Sequence, residues 1–349
     1  MGLKKKWNSR NAGTGSVSFA AVGDITFGRG VGRMMAVYGF DYPYRRVKPV
    51  LKQADLVLAN LETPITDRGR RVKKKINFRG DPAALPALKE AGISLVTVAN
   101  NHTLDYDREG LSDTLSHLKR IGVLYTGGGE DATAAHEPLV VTRNGLRIGF
   151  LSYTTFPAYG VAKNPDTAGV AYGVSPELIR ADIEKAREQS DLVIVSFHWG
   201  YEFAPEPHSL QRSLGRHAIR AGADLVLGHH PHVLQPVERY QGKLIVYSLG
   251  NFVFDQTAPA KRKSAIFVCR LTPDGIRDAA FLPVLIVRCQ PRLIQSAGVK
   301  RTERIPGTWG REEASRNRGI VIKEKESNGD HLSEQDASFN MVLKQPDNE

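Results

Sequence analysis

Short runs of Val, Ile and Leu alternate with stretches in which apolar residues recur every three or four positions, along most of the chain. The runs are Val17–Val22, Leu56–Ala59, Leu95–Ala99, Ile148–Tyr153, Leu192–Phe197, Leu225–Leu227 and Leu244–Leu249. Apolar runs without polar alternation predict strands covered on both faces. Between them, Pro82–Ala91, Asp107–Ile121, Pro176–Glu188 and Ser209–Ala221 carry helical spacing, and Pro176 suits a first turn. Gly92, Gly122 and Gly222 follow three of these segments, where a left-handed helix stop is expected. The alternation predicts an α/β fold.

Beyond Ser248 the texture changes. Ala265–Leu271 and Ala279–Val287 predict two strands joined across the turn-forming TPDGIRD, an antiparallel addition to the sheet. From about Pro291 the sequence is polar, charged and poor in aromatics, which predicts a weakly ordered tail over 291–349. Residues 1–16 form a basic N-terminal segment, which leaves 17–290 as the folded domain.

Composition narrows the partners. The 349 residues can bury a large core, and the net charge of +11 favours an anionic partner. Nucleic acid is disfavoured, because the basic residues are not interleaved with aromatics able to stack bases. Cys269 and Cys289 lack the close spacing of a zinc knuckle or a disulfide framework. No stretch is apolar enough to cross a bilayer, and the basic start has no apolar segment of signal-peptide type. As written, the chain is expected in the cytoplasm; a start further upstream would place it at the membrane or outside the cell.

The polar residues that follow the apolar runs carry the candidate chemistry. In open α/β sheets, ligands gather at the carboxyl ends of the strands. Those ends supply Gly23-Asp24, Asn60-Leu61-Glu62, Asn100-Asn101-His102, His198-Trp199-Gly200, Gly228-His229-His230-Pro231-His232 and Gly250-Asn251. Asp, Glu, Asn and His are donors suited to Zn, Mn or Fe. Each has an ordinary structural explanation alone, such as a turn or a helix cap, but their recurrence at one end of successive strands predicts a metal site. Pro231 is expected to hold the backbone around His230 extended, with alternate residues pointing to opposite sides, and His229 is expected to be structural or to support a ligand from behind. The basic stretch Arg68–Lys75 reads equally as an attractor of a polyanion or as a solvated loop. Core packing is the favoured reading of Trp199, with a place at the site rim, beside Glu202, as the other.

These motifs, with YSLGNFVFDQ at Tyr247–Gln256, resemble the signature of CapA-type capsule or poly-γ-glutamate synthesis proteins, a family similar to the calcineurin-like metallophosphoesterases. The resemblance runs from about Val17 to Val287. It implies a four-layer αββα metallophosphoesterase-like sandwich with one or two divalent metal ions, Mn, Zn or Fe. It implies that Asp24 binds the first metal, that Glu62 bridges both, that Asn101, His198 and His230 complete the second, and that His232 returns to the first. It further implies that His102 faces the substrate and that Asp105 orients it. Thr26 stands where the phosphoesterases carry a histidine ligand, so the first site is expected to hold metal less tightly.

What the resemblance implies for function is a metal-dependent hydrolase or transferase that uses a metal-activated water on amide bonds of a γ-glutamyl or peptide-like substrate. Phosphodiester or phosphomonoester hydrolysis is the alternative within the same chemistry. A non-catalytic accessory role beside capsule synthase components is the alternative outside it.

Overall fold

The computed structural model describes residues 15–157 and 166–294, and the backbone of 319–323 and 340–344. Its strand Val17–Ile25 shows how the layers arise. Val17, Phe19 and Ala21 point into one apolar cluster, while Ala20 and Val22 point into another, as a period of two requires. A strand apolar on both faces must be covered on both.

Two mixed sheets provide the inner cover. The first runs in the order Gln290–Leu293, Gly275–Val287, Lys263–Thr272, Val17–Ile25, Leu56–Leu61, Leu95–Thr97 and Leu124–Thr126, with Asn251–Val253 pairing the far end of Val17–Ile25. The second runs through Val237–Tyr240, Lys243–Val246, Leu225–His229, Leu192–His198, Leu146–Thr154 and Leu139–Arg143. Their facing sides share one core, in which the rings of Phe19 and Phe150 lie 6.2 Å apart. Helices Arg29–Tyr38, Leu85–Glu90 and Asp107–Ile121 cover the outside of the first sheet. Helices Pro176–Gln189 and Ser209–Ala221 cover the second. The fold is therefore the four-layer αββα sandwich that the resemblance implied.

The expected helix stops hold: Gly92, Gly122 and Gly222 sit at φ +104°, +67° and +118°. The strand of Lys263–Thr272 and that of Gly275–Val287 pair antiparallel, also as expected. Helix Arg29–Tyr38 was not anticipated, because Gly30 and Gly32 in its first turn depress helix propensity. Of the segment expected to be a tail, Pro291–Leu293 belongs to an edge strand. The backbones of Gly319–Lys323 and Asn340–Lys344 pair with each other, and the former joins the second sheet beside Val237–Tyr240. The rest of that tail, and residues 1–14, lie outside the described residues. Cys269 and Cys289 are free and buried. Among the described residues no helix is long and apolar enough to cross a membrane.

Several strands run one or more residues beyond their apolar cores. Asp24, Asn60, His198 and His229 are strand residues rather than loop residues, and the pairings Asp24 with Asn251, Asp24 with Asn60 and His229 with His198 fix their spacing. The carboxyl ends of both sheets thereby meet at one edge.

Candidate metal centre

Close backbone approach builds this edge. A Cβ on Gly23 would lie 1.9 Å from the Gly250 carbonyl oxygen, and one on Gly228 would lie 2.0 Å from that of Tyr247. Only glycine lets Asp24 and His229 follow directly. The loop after Gly228 is not extended as Pro231 suggested. His230 and His232 both adopt left-handed backbone, at φ +95° and +58°, which is unusual for non-glycine residues and concentrates at functional sites. Neighbouring groups hold this geometry in place. The His230 amide donates to Asp24 Oδ2 at 3.3 Å, the Phe203 amide to the Pro231 carbonyl at 2.7 Å, and Asn251 Nδ2 to the His232 carbonyl at 3.2 Å.

The kinked loop delivers its two histidines to different groups. Glu62, His198 and His230 bring donor atoms within 4.8 Å of one another, and so do Asp24, Glu62 and His232. Glu62 Oε1 lies 3.5 Å from His198 Nε2 and 3.7 Å from His232 Nε2. Asn101 Oδ1 is 2.9 Å from His198 Nε2, and His230 Nδ1 is 3.1 Å from the same nitrogen. The six residues expected as metal ligands therefore sit together, in two groups that share Glu62.

Glu62 carries the anomaly of the site. It is fully buried, and neither carboxylate oxygen accepts a hydrogen bond. Burying an ionised carboxylate without donors costs several kcal/mol, roughly, and native structures rarely tolerate it. A cation between Glu62 and the flanking imidazoles removes the cost, and the set of one Asn, two carboxylates and three histidines suits a divalent metal. The residues present fit such an ion.

Electrostatics agrees with that fit. Burial pushes the Glu62 carboxyl well above the usual carboxylate range. Burial raises Asp24 as well, yet the imidazoles of His229 and His232, 3.3 and 3.1 Å away, outweigh it and hold this carboxyl well below its ordinary value. Burial, then the charge of neighbouring histidines, pulls His198 well down and His230 to about 3, so both offer free lone pairs at neutral pH. His232 is the opposite case. Burial pulls it down, but Glu62 and Asp24 together hold it up, to about 9.

A pH dependence follows from these directions. Because the His232 pKa is raised, the imidazole is protonated at pH 7, and a metal at the Asp24–Glu62–His232 group must displace that proton. Affinity there should fall by about tenfold per pH unit as pH drops from roughly 9. The Glu62–His198–His230 group, whose histidines are already neutral, should lose less. Calorimetric titrations at pH 6 and pH 8.5 are expected to show two affinities that separate on acidification, and equal responses at both groups would refute the assignment.

Thr26 does not replace the histidine found in phosphoesterases. Its hydroxyl lies 2.6 Å from that of Thr63 and accepts the Gly28 amide at 3.1 Å, so it is committed away from Asp24. His229 instead stands behind Asp24, with Nδ1 3.3 Å from Oδ1, in the supporting place expected of it.

Three further residues arrange these donors. Asn60 Nδ2 donates to Asp24 Oδ1 at 2.8 Å and lies 3.2 Å from His198 Nδ1, which ties the two groups together. Asn251 Oδ1 lies 2.9 Å from His232 Nδ1. Both asparagines stand in the strand-end motifs, which was the signal available for them. Lys74 had no such signal. Its ammonium pairs with Asp105, donates to the Asn101 carbonyl at 2.7 Å and lies 3.3 Å from His102 Nδ1. Elsewhere in Arg68–Lys75, Arg68 pairs with Asp113 and Arg70 with Asp107, both arginines with largely exposed side chains.

Asp105 accepts from the Phe78 amide at 2.6 Å and lies 2.7 Å from His102 Nδ1. With Nδ1 donating to this carboxylate, His102 turns Nε2 toward the centre, 4.0 Å from Glu62 Oε1. Burial lowers its pKa, so the resting ring is neutral. Trp199 is core, fully buried and stacked 4.6 Å from Phe197, with its indole donating to the Tyr247 carbonyl. The rings that wall the centre are Phe78 on His102 at 4.0 Å, Phe156 on His230 at 4.1 Å and Phe254 near His232 at 4.9 Å.

The sequence pattern of the family described as bacterial capsule synthesis protein PGA_cap matches residues 18–256, which include every residue of this centre. The chain belongs to that family. As a PGA_cap protein it is 33% identical to the PGA biosynthesis protein CapA of Bacillus subtilis, over 82% of this chain and 76% of that one. It is 34% identical to the capsule biosynthesis protein CapA of Bacillus anthracis, over 80% of this chain and 70% of that one. Among solved structures, the NAD nucleotidase of Haemophilus influenzae aligns with 84% of this PGA_cap chain and 54% of its own, at 12% identity and a TM-score of 0.47, a likeness too remote to speak of function.

Proposed function

We propose that this PGA_cap protein is a metal-dependent hydrolase or transferase that acts on amide bonds of a γ-glutamyl or peptide-like substrate in the making of a poly-γ-glutamate capsule. The observation that carries the reading is Glu62, buried without a hydrogen-bond donor between two histidine-containing groups. Asp24, Glu62 and His232 would hold one divalent ion, and Glu62, Asn101, His198 and His230 a second. Bound there, such ions supply Lewis acidity, lowering the pKa of a water and offsetting charge that develops on the attacked group.

The chain's own residues do the rest. His102 presents Nε2 to the centre and exchanges a proton there, while Asp105 fixes the ring through Nδ1 and Lys74 holds Asp105. Phe78, Phe156 and Phe254 wall the site and exclude bulk water from it. Support for amide chemistry over phosphoesters comes from a relative named for PGA biosynthesis, since the links of poly-γ-glutamate are amides.

The test is turnover of γ-glutamyl amides beside phosphodiesters, with Mn, Zn or Fe supplied. Cleavage or transfer on the amide panel is expected. Turnover of phosphodiesters alone would move the protein to the phosphoesterase reading, and none on either panel would leave an accessory role in capsule synthesis.

A further inference from the structure

A second charged feature lies outside the metal centre. Helix Arg29–Tyr38, the short helix Pro259–Arg262 and the turn that joins Gly275–Val287 to Gln290–Leu293 enclose a cleft of about 460 Å³. Arg33, Arg262 and Arg288 line it, one from each element. Among the described residues no carboxylate pairs with any of the three. Arg262 Nε donates to the Ile286 carbonyl at 2.8 Å, which anchors the side chain. The one acidic residue that lines the cleft is already occupied: Asp255 accepts the Gly30 amide at 2.9 Å and pairs with Arg29 at 3.1 Å.

Three arginines line a cleft whose one acidic residue is already paired, which leaves an excess of positive charge that an oxyanion offsets through forked hydrogen bonds. The cleft also adjoins the metal centre. Phe254, which walls His232, precedes Asp255 in the chain, and the Arg29 guanidinium lies 5.6 Å over Phe78, the ring stacked on His102. Lys261, beside Arg262, covers the ring of Phe203, and its carbonyl accepts from Asn251. Arg29, paired with Asp255, therefore stands between the centre and the cleft.

We propose that this cleft is a second binding site, taking the carboxylates of an acidic chain whose reacting bond lies at the metal centre. The site rests on the proposed function for the identity of the chain, but its oxyanion chemistry stands on the arginines alone. Carboxylate and phosphate share that chemistry, so the experiment separates them.

The measurement is fluorescence anisotropy of a dye-labelled decamer of γ-linked glutamate binding to the full chain, stripped of metal by a chelator, at low salt. Arg33→Gln with Arg288→Gln should weaken binding by about tenfold or more, and adding Arg262→Gln should weaken it further. The double variant leaves the Arg262 anchor intact, so its folding is not at issue. A control with the same charge change at the opposite end of the sheet, Lys52→Gln with Arg120→Gln, should change binding by no more than about twofold.

Absence of decamer binding, equal losses in the two double variants, or displacement of the decamer by glutamate monomer or inorganic phosphate at equal concentration would overturn the proposal. Arginine-dependent binding in a protein that turns over neither substrate panel would sink the proposed function and leave this site standing.

Discussion

Replacing His198 and His230 together by alanine should reduce bound metal from about two equivalents to well below one. His198 supplies Nε2 at the meeting point of Asn101, His230 and Glu62, and His230 supplies the other imidazole of that group. Their removal leaves Glu62 and half-buried Asn101 as the only donors, too few for a divalent ion of the Zn, Mn or Fe class. Asp24, Glu62 and His232 remain, but their raised His232 pKa means that a proton competes for the site at neutral pH. Elemental analysis of protein purified from metal-supplemented medium reads the result directly, with near-ultraviolet circular dichroism as the check on folding. Full stoichiometry in the folded double variant would show that the ions, if any, sit elsewhere.

His102→Ala should behave in the opposite way, keeping its metals while turnover on the responsive substrate falls by roughly 10²–10⁴-fold, the usual worth of a positioned proton-transfer group. His102 is not in either donor group, although its Nε2 stands 4.0 Å from Glu62 Oε1. Its neighbours explain why the ring holds its place without metal, since Asp105 engages Nδ1 and Phe78 stacks on its face. An unchanged rate in a metal-replete His102→Ala protein would remove the proton-transfer role. Loss of metal along with activity would make His102 a ligand instead.

The parts of the fold legible in the sequence are those decided locally. Val17–Val22 and Leu192–Phe197 are apolar at every position but one, Ser18 and Ser196, which marks a strand buried on both faces, and Gly122 ends its helix because a left-handed residue was needed there. The strand Leu139–Arg143 escaped, although Asn144-Gly145, at φ +51° and +81°, is the turn that pairs it to Leu146–Thr154. Helix Arg29–Tyr38 escaped for a different reason: glycines that oppose a helix in isolation are tolerated where the N-terminus packs against Asp255.

The same division runs through the site. Recurrence of donor residues at strand ends marked the edge, and the family resemblance picked Asp24, Glu62, Asn101, His198, His230 and His232 out of it as candidate ligands. The left-handed turns at His230 and His232 were not, because Pro231 suggests extension and only contacts with Asp24, Phe203 and Asn251 override it. Lys74 was hidden more thoroughly. In a run of six cations nothing distinguishes the one that is drawn into a buried pair, since Asp105 lies 31 positions away and the loop must fold before the two can meet.

The central claim is that Glu62 is shared between two cations. Anomalous diffraction from crystals grown with manganese tests it most directly. Two peaks are predicted, one bounded by Asp24, Glu62 and His232 and the other by Glu62, Asn101, His198 and His230, with the first weaker at acidic pH. A map without peaks at Glu62, or with manganese bound only at groups remote from it, would contradict the account.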